Sequence, residues 1–147
     1  MTPVEEFVAS VLPQFTKAEI ALHNGDLGPR LELWSRSDPM TLLGAAVSGS
    51  GWSEVEPIFR GVANSFVECR AYDLELVAVD VSGDFAYTVA YERFEAVKSD
   101  GSIADATLRA THIFRREEGQ WKVVHRHADH ETDEGAALKR LSHKSRD

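Results

Sequence analysis

Residues 105–129 read DATLRATHIFRREEGQWKVVHRHAD. Two runs rich in β-branched and aromatic residues flank Glu117-Glu118-Gly119, and such residues favour a pleated, half-buried surface. Thr107, Thr111, Ile113 and Phe114 lie in the first run, and Trp121, Val123 and Val124 in the second. The pattern predicts two long strands joined by a tight hairpin. A three-residue loop, Glu117-Glu118-Gly119, puts the glycine at the left-handed position, where it meets no steric cost. A two-residue loop, Glu118-Gly119, competes, but the first position of that turn prefers Asn, Asp or Gly. Turn chemistry therefore favours three residues.

The loop length decides which side chains share a face, because successive residues of a strand point to opposite sides. With three loop residues, Leu108, Ala110, His112 and Phe114 share a face with Lys122, Val124, Arg126 and Ala128. Arg109, Thr111, Ile113 and Arg115 then share the other with Trp121, Val123, His125 and His127. Both faces are partly apolar, so helices are expected over one and a partner over the other. With two loop residues the apolar side chains and the three histidines would gather on one face.

The chain has 147 residues, of which 43% are hydrophobic and 27% charged, an ordinary composition for one globular domain. A net charge of −8 and a pI of about 5.2 argue against a phosphate-backbone partner, so no nucleic acid is expected. The single cysteine, Cys69, excludes an internal disulfide and fits a reduced, cytoplasmic setting. No secretion signal and no membrane-spanning apolar run is read from the chain.

Upstream, Thr2-Pro3-Val4-Glu5 opens a helix with a capping Thr and a proline at the first helical position. Val4, Phe7, Val8, Val11, Leu12 and Phe15 form its apolar stripe, and Pro13 is expected to kink or split it. Gly25 is a candidate C-terminal cap. Asp26 begins a second helix and reads first as its N-cap, with a general-base role as the sharper alternative. Met40–Leu43 reads as a short strand, and Gly44–Gly51 as a flexible connector or site border. A third helix is expected from Trp52 to about Glu68. Two strands follow, Tyr72–Val81 and Phe85–Val97, around a turn at Ser82-Gly83-Asp84. The bulkier odd positions of the second, Phe85, Tyr87, Val89, Tyr91 and Arg93, are assigned to the helix-covered face. Residues 1–130 are taken as one domain. Residues 131–147 are taken as a charged tail with a short helix near 133–141.

Helices followed by a strand meander make an α+β fold, a curved antiparallel sheet with helices over one face. This order resembles the nuclear transport factor 2-like superfamily, also described as cystatin-like or ketosteroid-isomerase-like. The nearest likeness is to its SnoaL-like group and to the association domain of calcium/calmodulin-dependent protein kinase II. The resemblance rests on NGDLGPRLELWSRSDPMTLLG, on Gly51-Trp52, on GDFAYTVAYERF and above all on THIFRREEGQWKVVHRHAD. It implies a cone with a ligand pocket between helices and sheet, and a homodimer through the open sheet face. It implies further that His112 points inward and that His125 and His127 point outward. The three pocket arginines of the association domain correspond to Val89, His112 and Ala128, none of them arginine. The aspartate base of steroid isomerases has no convincing inward counterpart.

His112, among apolar neighbours on the inward face, is the candidate proton carrier, since its unperturbed pKa lies near neutrality. Its plain alternative is a satisfied core histidine. Tyr91 is the second candidate catalytic residue. Arg126 cannot be buried unpaired, so it needs a carboxylate such as Glu92 or Glu32, or a bound anion. Tyr87, Val89, Trp34, Trp52 and Phe114 complete the expected ligand-binding set, with Trp52 placed as a lid. The pair His125 and His127 lacks a third metal ligand at convincing spacing, so no metal and no cofactor is expected. The expected ligand is a small organic molecule, a carboxylate or a ketone. The first reading is a binding protein. The second is an acid–base isomerase, cyclase or dehydratase, and the third a structural association module.

Overall fold

The computed structural model describes residues 1–144. Helix α1 (Pro3–Leu22) starts as its sequence dictates, with the Thr2 hydroxyl accepting the Glu5 N–H at 3.1 Å and Pro3 in the first turn. It buries Phe7, Val11, Phe15, Ala18 and Leu22. Pro13 neither splits nor ends it. Ala9, whose carbonyl a proline at position 13 leaves without a partner, is exposed, as is Pro13 itself. Helix α2 (Gly28–Leu33) follows an Asx turn in which Asp26 accepts the Gly28 N–H at 2.9 Å.

The strands form one six-stranded sheet in the order β2-β1-β6-β5-β4-β3. Strand β1 (Thr41–Leu43) pairs in parallel with β6 (Gln120–His130), and β2 (Ser48–Ser50) extends the edge from within the stretch expected to be a loop. Helix α3 (Trp52–Asn64) is shorter than expected. Phe66, within its expected span, instead opens β3 (Phe66–Ser82). Strands β4 (Phe85–Lys98) and β5 (Ile103–Glu117) complete the meander, and α4 (Asp133–Lys144) follows β6. Helices α1, α2 and α3 cover one face of the sheet, giving an α+β fold. Its core joins Phe7, Val11 and Phe15 of α1 to Val55 and Phe59 of α3 and to Phe114 and Val123 of the sheet. Among the described residues no helix is long and apolar enough to cross a membrane.

The β5–β6 loop has two residues, not three. Glu117 pairs with Gln120, and Glu118 (φ 52°) and Gly119 (φ 76°) both adopt left-handed backbone. A two-residue hairpin whose central residues both have positive φ has the twist that matches the flanking strands. A register shift between Ile113 and Phe114 then inserts an extra residue on β6, so that His112 still faces Arg126 and Ile113 faces His125. The inward placement of His112 and the outward placement of His125 therefore stand beyond the bulge. Nearer the turn the expected faces are reversed. Val123 pairs with Phe114 and is fully buried, and Trp121 meets Phe7 edge-on at 5.2 Å, so both belong to the core and not to an outer patch.

The faces of β4 are also the reverse of those expected. Ala86, Thr88, Ala90 and Glu92 are buried, while Phe85 and Tyr87 are exposed on the outer side with Val89 and Tyr91. Bulk misled the assignment. The inner face must leave room beneath α1, and small side chains there provide it.

Glu118 is the one described non-glycine residue with positive φ. An asparagine tolerates that backbone better. Glu118→Asn should raise the unfolding free energy by about 0.5–1 kcal/mol, and Gly119→Ala should lower it by about 1 kcal/mol or more. Urea denaturation of the two variants against wild type checks both signs.

Candidate functional site

The sheet register builds the site row by row. Thr88, His112, Arg126 and Leu42 stand side by side on β4, β5, β6 and β1, all buried. The next inward row is Ala90, Ala110 and Ala128. Beyond it stands Glu92. The alanines leave a channel over the sheet, and through it Arg126 Nη1 donates to Glu92 Oε1 at 2.6 Å. Tyr72 donates its hydroxyl to the other oxygen, Glu92 Oε2, at 2.9 Å. Glu92 is 1% exposed, and both of its oxygens are occupied.

Helix α1 closes this row from above with Phe15, whose ring meets His112 edge-on at 4.6 Å, and with Glu19 one turn later. The Glu19 carboxylate pairs with Arg30 of α2, and the Arg30 guanidinium lies 4.9 Å from the centre of the Phe59 ring. His23 donates Nδ1–H to the Glu19 carbonyl at 2.7 Å. Arg126 Nη1 also reaches His112 Nε2 at 3.0 Å. A guanidinium only donates, so that nitrogen is the acceptor and the ring is neutral, with its proton on Nδ1.

The electrostatics follow from burial and pairing. Burial and the neighbouring Arg126 charge hold His112 well below the ordinary imidazole range. Burial opposes the charge on Glu19, yet Arg30, Arg126 and His23 outweigh it and lower the carboxyl. Burial and then Glu92 push the Tyr72 hydroxyl upward, so it remains a donor.

Arg126 is not used up by these contacts. Among the described residues its Nε and Nη2 have no hydrogen-bond partner. Among the described residues the only sealed side-chain nitrogen or oxygen left without one is Arg30 Nε. The remaining Arg126 donors, on a residue 7% exposed, therefore face space that solvent can enter.

Of the residues expected from sequence, the structure brings together His112 and Arg126, with Phe114 alongside at 6.2 Å from the His112 ring. Phe114 also packs on Phe7 in the core. Trp34 is buried against Phe59, and Trp52 flanks the same ring at the start of α3. Tyr87, Val89 and Tyr91 do not join them. They stand on the outer face, where Lys139 of α4 lies 4.8 Å from the centre of the Tyr91 ring. The proposed pairing of His112 with Tyr91 is therefore not assembled within one chain. Glu19, His23, Arg30 and Tyr72 were missed. Glu19 carried a legible signal, a charge four residues after Phe15 on the apolar stripe of α1.

An open groove of about 1230 Å³ lies elsewhere, lined by Gln14, Glu32, Arg36, Glu118 and Lys122 among others. Three of its charged side chains are spent on the protein itself, Lys122 on the Glu32 carbonyl and Arg115 on Glu117 and on Ser35. The buried cluster instead keeps unpaired donors, Nε and Nη2 of Arg126, on a residue only 7% exposed.

His112 and His23 both titrate below the ordinary value of 6.5, by burial first. An imidazole depressed by folding takes up its proton more readily in the unfolded chain. Its contribution is complete above about pH 6.5 and is lost as the pH falls below that value. Glu19, lowered below 4.5, adds a loss of the same sign at lower pH. The unfolding free energy should therefore decline between about pH 6.5 and 5. His112→Gln should remove up to one proton's worth of slope, about 1.4 kcal/mol per pH unit. Denaturant titrations across this range check the slope, and a flat wild-type profile contradicts it.

This geometry has relatives among solved structures. A nuclear transport factor 2-like superfamily protein from Salmonella enterica is 18% identical, covers 88% of this chain and 94% of its own, and superposes with a TM-score of 0.73. A candidate dehydratase of the NTF2-like family from Streptomyces avermitilis is 24% identical over 89% of this chain and 99% of its own, with a TM-score of 0.69. The association domain of C. elegans CaMKII is 13% identical over 85% and 96%, with a TM-score of 0.64. At these identities the likeness is one of fold. No curated protein sequence matches the chain. The family profile for the SnoaL-like domain matches residues 8–128, which takes in most of α1, nearly all of the sheet and both members of the Arg126–Glu92 pair, and the chain belongs to that family.

Proposed function

We propose that this SnoaL-like domain holds a small organic molecule between its helices and its sheet, against Arg126 and His112. The observation that carries this reading is the unpartnered Nε and Nη2 of Arg126, on a guanidinium that is otherwise buried and paired. Those donors face space that solvent can enter, and a ligand oxygen that takes the place of water there makes a charge-assisted hydrogen bond. A ligand carbonyl or carboxylate oxygen satisfies them, and the Nδ1–H of neutral His112 supplies a further donor. Apolar surface from Phe15, Phe114 and Ala110 serves the rest of the molecule.

A second reading, an acid–base enzyme, gains support from Glu19. This is an inward carboxylate of the kind the sequence did not reveal. Its Oε1 pairs with Arg30, and Oε2 has no partner among the described residues. A carbonyl polarised by Arg126 beside such a base is arranged for removal of an α-proton. Loss of α-protons from bound ketones in deuterated buffer, followed by NMR, tests it. Exchange no faster than in buffer alone removes this reading and leaves the binding one.

Assembly as a homodimer is supported by the outer sheet face, where Phe85, Tyr87, Val77 and Ile113 are exposed together. Contiguous apolar surface of this kind marks an interface. Light scattering at micromolar concentration should give twice the chain mass, and Tyr87→Glu should return it to one.

The binding reading is tested by thermal shift with small ketones and carboxylic acids. Stabilisation of wild type should be lost in Arg126→Lys, which keeps the charge but not the planar fork of donors, and weakened in His112→Gln. Stabilisation that survives unchanged in both variants contradicts the site.

A further inference from the structure

The interior charges of the candidate site sum to zero, each cation beside its own carboxylate. Arg126 is paired with Glu92, and Arg30 with Glu19, all four side chains at most 8% exposed. His112 adds no charge, because its Nε2 accepts from Arg126. Tyr72 donates to Glu92 and is neutral. What the site still offers is a matched set: donors on Arg126 (Nε and Nη2) and an acceptor on Glu19 (Oε2), none partnered or sealed among the described residues. Glu19 stands one turn of α1 beyond Phe15, whose ring meets His112 at 4.6 Å, and His112 in turn touches Arg126 at 3.0 Å.

From this balance we infer that the ligand is uncharged and presents a carbonyl oxygen to Arg126 together with a donor, an amide N–H or a hydroxyl, to Glu19. The inference rests on the binding reading above and narrows it. A carboxylate would add an uncompensated negative charge to a low-dielectric site whose arginines are already neutralised, and such a charge is strongly disfavoured. It would also meet Glu19 without a proton to share. The chain's net charge of −8 opposes its approach as well. An amide or a hydroxyketone satisfies both sides and leaves the balance intact.

Matched pairs test the charge directly on the full chain. Benzamide is compared with benzoate, and hydroxyacetone with acetate, by calorimetry and thermal shift at equal concentration. Wild type should bind the uncharged member of each pair at least about tenfold more tightly. Glu19→Gln removes one negative charge while keeping an oxygen for Arg30, and should shift the preference toward the carboxylates. Glu92→Gln makes the same change on the other pair and stands in should the first variant fold poorly. Carboxylates binding wild type as tightly as their partners, in an Arg126-dependent manner, would overturn this inference and leave the binding reading in place. No binding of either member of any pair, together with native mass spectrometry showing an empty protein, would remove both.

Discussion

A guanidinium at the centre of a protein must be answered, and in this domain the answer to Arg126 organises what surrounds it. Glu92 lies two rows away along the sheet, too far for contact across ordinary side chains. Ala90, Ala110 and Ala128 open the intervening row, and the pair closes at 2.6 Å. Tyr72 completes the carboxylate, and His112 accepts the remaining Nη1 contact, so the pair is hydrogen-bonded as well as charged. Buried ion pairs of this kind contribute little net stability but make the loss of one partner severe. They restrict which packings of the chain are tolerable.

A second pair, Glu19 with Arg30, extends the polar centre into the helical layer. It ties α1 to α2 and stacks Arg30 on Phe59 of α3, so α1, α2 and α3 are referenced to one cluster. The apolar core of Phe7, Phe114, Trp121 and Val123 supplies the main driving force near the hairpin. The polar cluster occupies the opposite half of the space under the helices. This division, dry packing at one end and directed donors at the other, is what a site for a small oxygen-bearing molecule requires.

Much of the architecture was legible in the sequence. The α1 stripe and the meander follow from periodicity and turn signals, and the inward direction of His112 from the family resemblance. The loop length was not legible, because Glu118 accepts a left-handed backbone that its chemistry does not favour, and a bulge then restores the register. The faces of β4 were misread for a related reason. Large residues were assumed to be interior, but the exterior of this sheet carries Phe85 and Tyr87, while the interior needs small ones to admit Glu92. Within the site, Arg126 and His112 were readable as costly residues on an apolar face. Tyr72 was not, since nothing local distinguishes a strand tyrosine that bonds a buried carboxylate from one at a rim.

The account depends on Arg126 being a paired charge that still has donors to spare. A double-mutant cycle on Arg126 and Glu92, with stability and ligand response measured on each corner, tests this most directly. Glu92→Leu alone should cost about 3–5 kcal/mol by stranding the arginine, and Glu92→Leu with Arg126→Leu should recover most of that loss. The recovered protein should no longer be stabilised by carbonyl compounds that stabilise wild type. Additive effects of the two substitutions, or a double variant that responds to those compounds as wild type does, would contradict the account.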